Sequence, residues 1–117
     1  MNESTLSNLD DVLTSTDKAK GLPNQHYVSR EVFEEEKQSI LFDNWSAIGT
    51  GKDIPNPGDV KPINFVGMPL IMVRDSDSNI NVFQNTCRHR GMILIDEPTN
   101  IKGVIRCPYH SWCYNLN

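Results

Sequence analysis

Apolar and polar positions follow two different patterns along this chain. Residues 1–21 are rich in Ser, Thr, Asn, Asp and Lys, and Leu6, Leu9, Val12 and Leu13 support an amphipathic turn or two at most. That pattern predicts a flexible leader. Leu22-Pro23-Asn24 then breaks it. From Ser29 onward Val32, Phe33, Ile40, Leu41 and Trp45 recur near helical spacing, which predicts one helix across residues 30–45. Ser29 suits its N-cap and Glu31 its first turn. The run Glu34-Glu35-Glu36-Lys37 is expected on its solvated face.

After Trp45 short apolar runs replace the helical period. Gly49, Gly51, Pro55, Pro57 and Gly58 punctuate a loop. Strands are expected at Ile63–Val66, Leu70–Arg74, Ile80–Gln84, Gly103–Cys107 and Trp112–Leu116, with the polar stretch Asp75–Asn79 as a hairpin connection. Many short strands behind one leading helix predict a mainly β chain, a small antiparallel β-domain. The expected organisation is a leader (1–21), a helical lead-in (22–45) and the β-domain (46–117).

Composition narrows the classes. With 117 residues, 38% of them apolar and 22% charged, one domain with a modest core is expected, and a bound metal centre would help it fold. A net charge of −4 argues against nucleic acid and anionic membrane as partners. No stretch is long and apolar enough to cross a bilayer, and Met1 to Leu6 lacks the pattern of a secretory signal, so a cytoplasmic location is the expectation. Three cysteines are an odd count, better read as reduced metal ligands or buried fillers than as disulfides.

The chemistry concentrates in Cys87-Arg88-His89-Arg90-Gly91 and Cys107-Pro108-Tyr109-His110-Ser111-Trp112. The pattern is C-x-H, seventeen intervening residues, then C-x-x-H. Each segment offers one thiolate and one imidazole. A binuclear iron–sulfur cluster of Rieske type takes two Cys on one iron and two His on the other. Neutral imidazoles remove two negative charges relative to four thiolates, so the iron they bind accepts an electron more readily. A structural zinc site is the rival, but Cys₂His₂ zinc sites usually pair Cys with Cys and His with His.

These two segments resemble the cluster loops of Rieske non-haem iron oxygenases, the ring-hydroxylating dioxygenases and their monooxygenase relatives. The likeness runs from about Leu22 to the end of the chain, through Leu22-Pro23, His26-Tyr27, the helix ending near Trp45, and Asn85-Thr86. Cys-Arg-His-Arg-Gly points to the oxygenase branch. The resemblance implies a Rieske [2Fe–2S] cluster held by Cys87, His89, Cys107 and His110. It also implies a large (alpha) subunit whose mononuclear non-haem iron lies in a further, catalytic domain. A reductase or ferredoxin would donate electrons, and the parent would be a ring-shaped homo-oligomer, a trimer. On this reading the chain is an N-terminal piece that stops before the β-domain is complete. The alternative is a stand-alone Rieske ferredoxin, whose members usually lack so long a lead-in.

Two residues depart from the family pattern. Ser111 replaces a frequent Gly, and Cys113 replaces a frequent Thr; Cys113 is expected as a small buried filler on the following strand. Tyr109 and Arg90-Gly91 occupy the neighbourhood where the Rieske proteins of respiratory complexes carry extra, disulfide-linked cysteines. Around the ligands, Trp112 is expected to pack over the second loop and keep water off the cluster. Tyr114 is a candidate hydrogen-bond donor to a cysteine sulfur. Pro108 is a candidate for shaping its loop, Arg88 and Arg90 for an acidic contact, and His26 is expected to be an ordinary polar residue.

Overall fold

A computed structural model describes residues 9–117, so Leu6 and the Met1–Leu6 reading lie outside the described residues. The chain divides into two compact units, Met1–Ser46 and Ala47–Asn117.

In the first unit, helix α1 spans Gln25–Val28 and helix α2 spans Arg30–Glu36. A π-helical stretch, Lys37–Phe42, continues α2. Ser29 caps α2 as expected: its Oγ accepts the Val32 N–H at 3.3 Å. The helical run ends at Phe42 rather than Trp45. Asn44 Nδ2 donates to the carbonyls of Ser39 (3.1 Å) and Ile40 (3.0 Å), satisfying acceptors that the helix end leaves free. The Glu34–Lys37 run is half-buried rather than a solvated face, and Lys37 is ion-paired with Glu34.

The second unit carries two antiparallel sheets. The larger has the order β3-β2-β1-β4, from β1 (Asp59–Phe65), β2 (Met68–Arg74), β3 (Ile80–Gln84) and β4 (Thr99–Asn100). The smaller pairs β5 (Ile105–Arg106) with β6 (Cys113–Tyr114). The mainly β, antiparallel expectation therefore holds. Central strand β2 buries Ile71, Met72 and Val73 in succession, so both of its faces are covered and no alternation shows.

Two connections fix the register. The β1–β2 turn is Val66-Gly67, both at positive φ (45° and 91°), with Phe65 opposite Met68. The Gly67 N–H donates to Asn64 Oδ1 at 2.8 Å. The β2–β3 turn is organised by buried Asp75, whose Oδ1 accepts from the N–H groups of Asp77 (2.9 Å) and Asn79 (2.8 Å). Burial pushes the Asp75 carboxyl up, but these donors and the amides of Asn79 and Asn81 outweigh it and hold it below the usual carboxylate range. Arg74 ties the preceding loop to this turn: Nε donates to Ile54 O (2.6 Å), Nη2 to Gly51 O (3.0 Å) and Nη1 to Ser78 O (2.8 Å).

The core of the unit joins Val60, Ile71, Val73, Leu94, Ile95, Ile105 and Leu116 with Cys87 and Cys107, and Ile101 and Tyr114 pack against it. Both segments singled out in the sequence are thus rooted in the one core that the sheets build.

Candidate metal centre

Residues 87–92 follow β3, and residues 107–112 join β5 to β6. The two loops close with the same hydrogen bonds. In the first, the Cys87 N–H donates to Met92 O (2.7 Å) and the Gly91 N–H to Cys87 O (2.8 Å). In the second, the Cys107 N–H donates to Trp112 O (2.8 Å) and the Ser111 N–H to Cys107 O (3.0 Å). The fifth residue of each loop adopts positive φ, Gly91 at 72° and Ser111 at 63°. Glycine enters this region at no steric cost; serine does so under strain. The replacement of glycine by Ser111 noted in the sequence is thus accommodated in the backbone the motif requires.

This turn sorts the side chains. Cys87 and Cys107 are each 2% exposed and belong to the core, whereas His89 and His110 lie exposed at the loop tips. The two imidazoles meet edge to face, centroids 4.8 Å apart at 77°. Trp112 of the second loop stacks on His89 of the first, at 5.0 Å and 8°, and Tyr109 lies against His110 at 3.8 Å. Trp112 therefore covers the opposite loop from the one expected, and it stays half exposed rather than sealing a dry site.

The Tyr114 hydroxyl lies 3.1 Å from Cys87 Sγ and accepts the Arg88 N–H at 3.0 Å. Its own proton is therefore available to the sulfur. That hydrogen bond pulls the Cys87 thiol below the ordinary range; the N–H groups of His89 and Arg90 act the same way, and burial opposes them. In return the sulfur and burial raise the Tyr114 hydroxyl.

Cys113 is exposed, not a buried filler. In the β5–β6 ladder Ile105 pairs with Tyr114, and Arg106 with Cys113. Strand alternation puts the first pair toward the core and the second pair outside. The Cys113 thiol donates to Ser111 O at 3.3 Å. Arg88 and Arg90 are exposed beside His89, and His26 lies in α1 of the other unit.

Asn85 is the residue the sequence reading undervalued. Its buried amide accepts from the N–H groups of Leu94 (3.1 Å) and Ile95 (2.9 Å) and donates to Ile95 O, tying down the return path of the first loop. The signals for it were its place in the family likeness, as Asn85-Thr86, and a polar residue standing between a strand and a candidate ligand.

Among the described residues, no three or more His, Cys, Asp or Glu side chains converge as they would on one metal ion. The site instead offers two sulfurs rising from the core and two imidazoles above them. All three cysteines are free, so no disulfide competes for the thiols. Such a donor set fits a binuclear cluster with one sulfur-bound and one nitrogen-bound iron. When bound, such a cluster supplies a one-electron couple.

A domain of two small antiparallel sheets with paired Cys/His loops is the architecture of Rieske proteins, and the profile of the Rieske [2Fe–2S] domain matches residues 44–117. The chain belongs to that family. Its relatives include the carnitine monooxygenase oxygenase subunit of Acinetobacter pittii, 33% identical over 108 residues, covering 92% of this chain and 29% of the relative. The large oxygenase component of salicylate 5-hydroxylase from Ralstonia sp. is 38% identical over 96 residues, 81% of this chain and 23% of the relative. Among solved structures, a quaternary ammonium Rieske monooxygenase in complex with gamma-butyrobetaine superposes with a TM-score of 0.77 at 35% identity, over 84% of this chain and 28% of that one. Naphthalene 1,2-dioxygenase from Rhodococcus sp. bound to indole gives 0.65 at 33% identity, over 73% and 19%. The chain thus spans less than a third of the length of these relatives and corresponds to their Rieske-bearing part.

Proposed function

We propose that this chain is the electron-transfer domain of a Rieske oxygenase large subunit, its [2Fe–2S] cluster held by Cys87, His89, Cys107 and His110. One observation carries the ligand assignment: two loops of identical hydrogen bonding each set a cysteine in the core and a histidine at the surface. The sulfurs would hold the inner iron and the imidazoles the outer one. The exposed imidazoles then form the short path by which an electron enters or leaves, while Tyr114 and the loop N–H groups steady the negative charge on Cys87. A reductase or ferredoxin would supply the electron. The acceptor would be a mononuclear iron in a catalytic domain that these 117 residues do not include, within a homo-oligomeric, trimeric parent. The oxygenase relatives favour this reading over a free-standing ferredoxin.

Metal analysis tests the assignment. After anaerobic purification the protein is expected to hold two irons and two labile sulfides per chain, and stoichiometric zinc without sulfide would refute it. Cys87→Ala and Cys107→Ala should lose the visible absorption of the cluster, whereas Cys113→Ala should keep it. Loss of absorption in Cys113→Ala with an intact circular dichroism spectrum would mean that the ligand set is wrong.

A further inference from the structure

We propose that Trp112 is a positioning residue for the His89 imidazole, clasping the second cluster loop onto the first. The inference rests on the ligand assignment above. The indole and imidazole planes lie 8° from parallel with centroids 5.0 Å apart, the geometry of an offset stack. His110 meets the same imidazole edge-on at 4.8 Å and 77°. Two rings from the second loop therefore fix His89 in both tilt and plane, although their backbones are distant in sequence.

Trp112 is itself rigidly placed. Its carbonyl accepts the Cys107 N–H at 2.8 Å, the bond that closes the second loop, so its Cα is set by the turn that sets Cys107. It is 49% exposed and lies outside the core cluster, so the core does not depend on its ring. No disulfide joins the loops. Besides the contacts among the ligands themselves, the side-chain ties to the first loop include this stack and the bonds of the Tyr114 hydroxyl with Cys87 Sγ and the Arg88 N–H. Tyr114 acts at the buried sulfur end and Trp112 at the exposed nitrogen end. A histidine on an exposed loop would otherwise rotate about its side-chain torsions, and each rotation would move the nitrogen that faces the metal. The stack removes that freedom before the cluster arrives.

The test compares cluster-loaded wild type with Trp112→Phe and Trp112→Leu. Three quantities are read: circular dichroism of the apo protein, the first-order rate of cluster loss in chelator, and the line widths of the reduced cluster's electron paramagnetic resonance spectrum. The expected result is an unchanged apo spectrum in both variants. In Trp112→Leu, cluster loss should be about fivefold faster, as the removal of one stacked aromatic contact implies. The same variant should show broadened resonance lines, because the His89 ring samples several orientations. Trp112→Phe, which keeps an aromatic face, should return both toward wild type. Should Trp112→Leu not fold, Trp112→Gln takes its place, with a side chain suited to an exposed position. Wild-type line widths and lifetime in the aliphatic or polar variant would overturn the clasp, as would failure of phenylalanine to rescue. Absence of any cluster in the wild type would instead overturn the ligand assignment, and the clasp with it.

Discussion

At Asn85 one buried side chain meets three backbone groups, the N–H of Leu94 and the N–H and C=O of Ile95. Truncation would leave all three without partners inside the protein. Asn85→Ala is therefore expected to cost about 2–4 kcal/mol, measured by urea unfolding, well above the usual cost of a surface substitution. Tyr114 works on the other side of the same loop. Its hydroxyl favours negative charge on Cys87, and reduction adds negative charge to the cluster. Tyr114→Phe should lower the reduction potential, by tens of millivolts on the order of magnitude of one charge-assisted hydrogen bond. It should also return the apo Cys87 thiol toward its ordinary range, seen as slower alkylation near neutral pH. An unchanged potential would mean that the hydroxyl does not donate to the sulfur.

The two loops are one structural device used twice, and Ser111 is where the copies differ. Its φ of 63° strains a serine, whereas the equivalent Gly91 at 72° is unstrained. Ser111→Gly should stabilise the protein by about 0.5–1 kcal/mol, read as a higher denaturation midpoint, because the Ser111 carbonyl that accepts from Cys113 is unchanged. Gly91→Ala should destabilise by a similar amount although a Cβ there would meet nothing within 4 Å, because the cost lies in the dihedral and not in a clash. Elements with strong local signals were legible in the sequence: the Ser29 cap, the strand Ile80–Gln84, the Asp75–Asn79 turn and the mainly antiparallel β character. Elements set by tertiary context were not. Val66 reads as a strand residue because it is β-branched, yet it occupies a turn position at φ 45° that asparagine would fill more easily. The two-residue strand β4 is held by its pairing with Asp59 and Val60 and by the Asn100 amide, which donates to Pro57 O and Asp59 Oδ1. Cys113 reads as a buried filler from its place on the strand after the loop, but the strand register points it outward. The four candidate ligands were legible because metal chemistry restricts which residue types can stand at those spacings. Trp112's stacking partner was not, since it depends on how two loops approach in space.

On the scale of the whole chain, the division of labour is between a core that holds two sulfurs and a surface that offers two imidazoles. The exposed tip also carries Tyr109, Trp112, Arg88 and Arg90, residue types favoured where proteins meet. The match to under a third of each oxygenase relative is consistent with electron transfer here and oxygen chemistry elsewhere in the proposed parent. Mixed cysteine and histidine ligation would make this chain a one-electron carrier, and the midpoint potential of the cluster-loaded protein tests that most directly. Imidazole ligation of one iron predicts a single one-electron couple between about −150 and +300 mV, where Rieske centres lie. A couple near about −400 mV, the value for all-cysteine [2Fe–2S] ligation of plant type, or no couple at all, would contradict it.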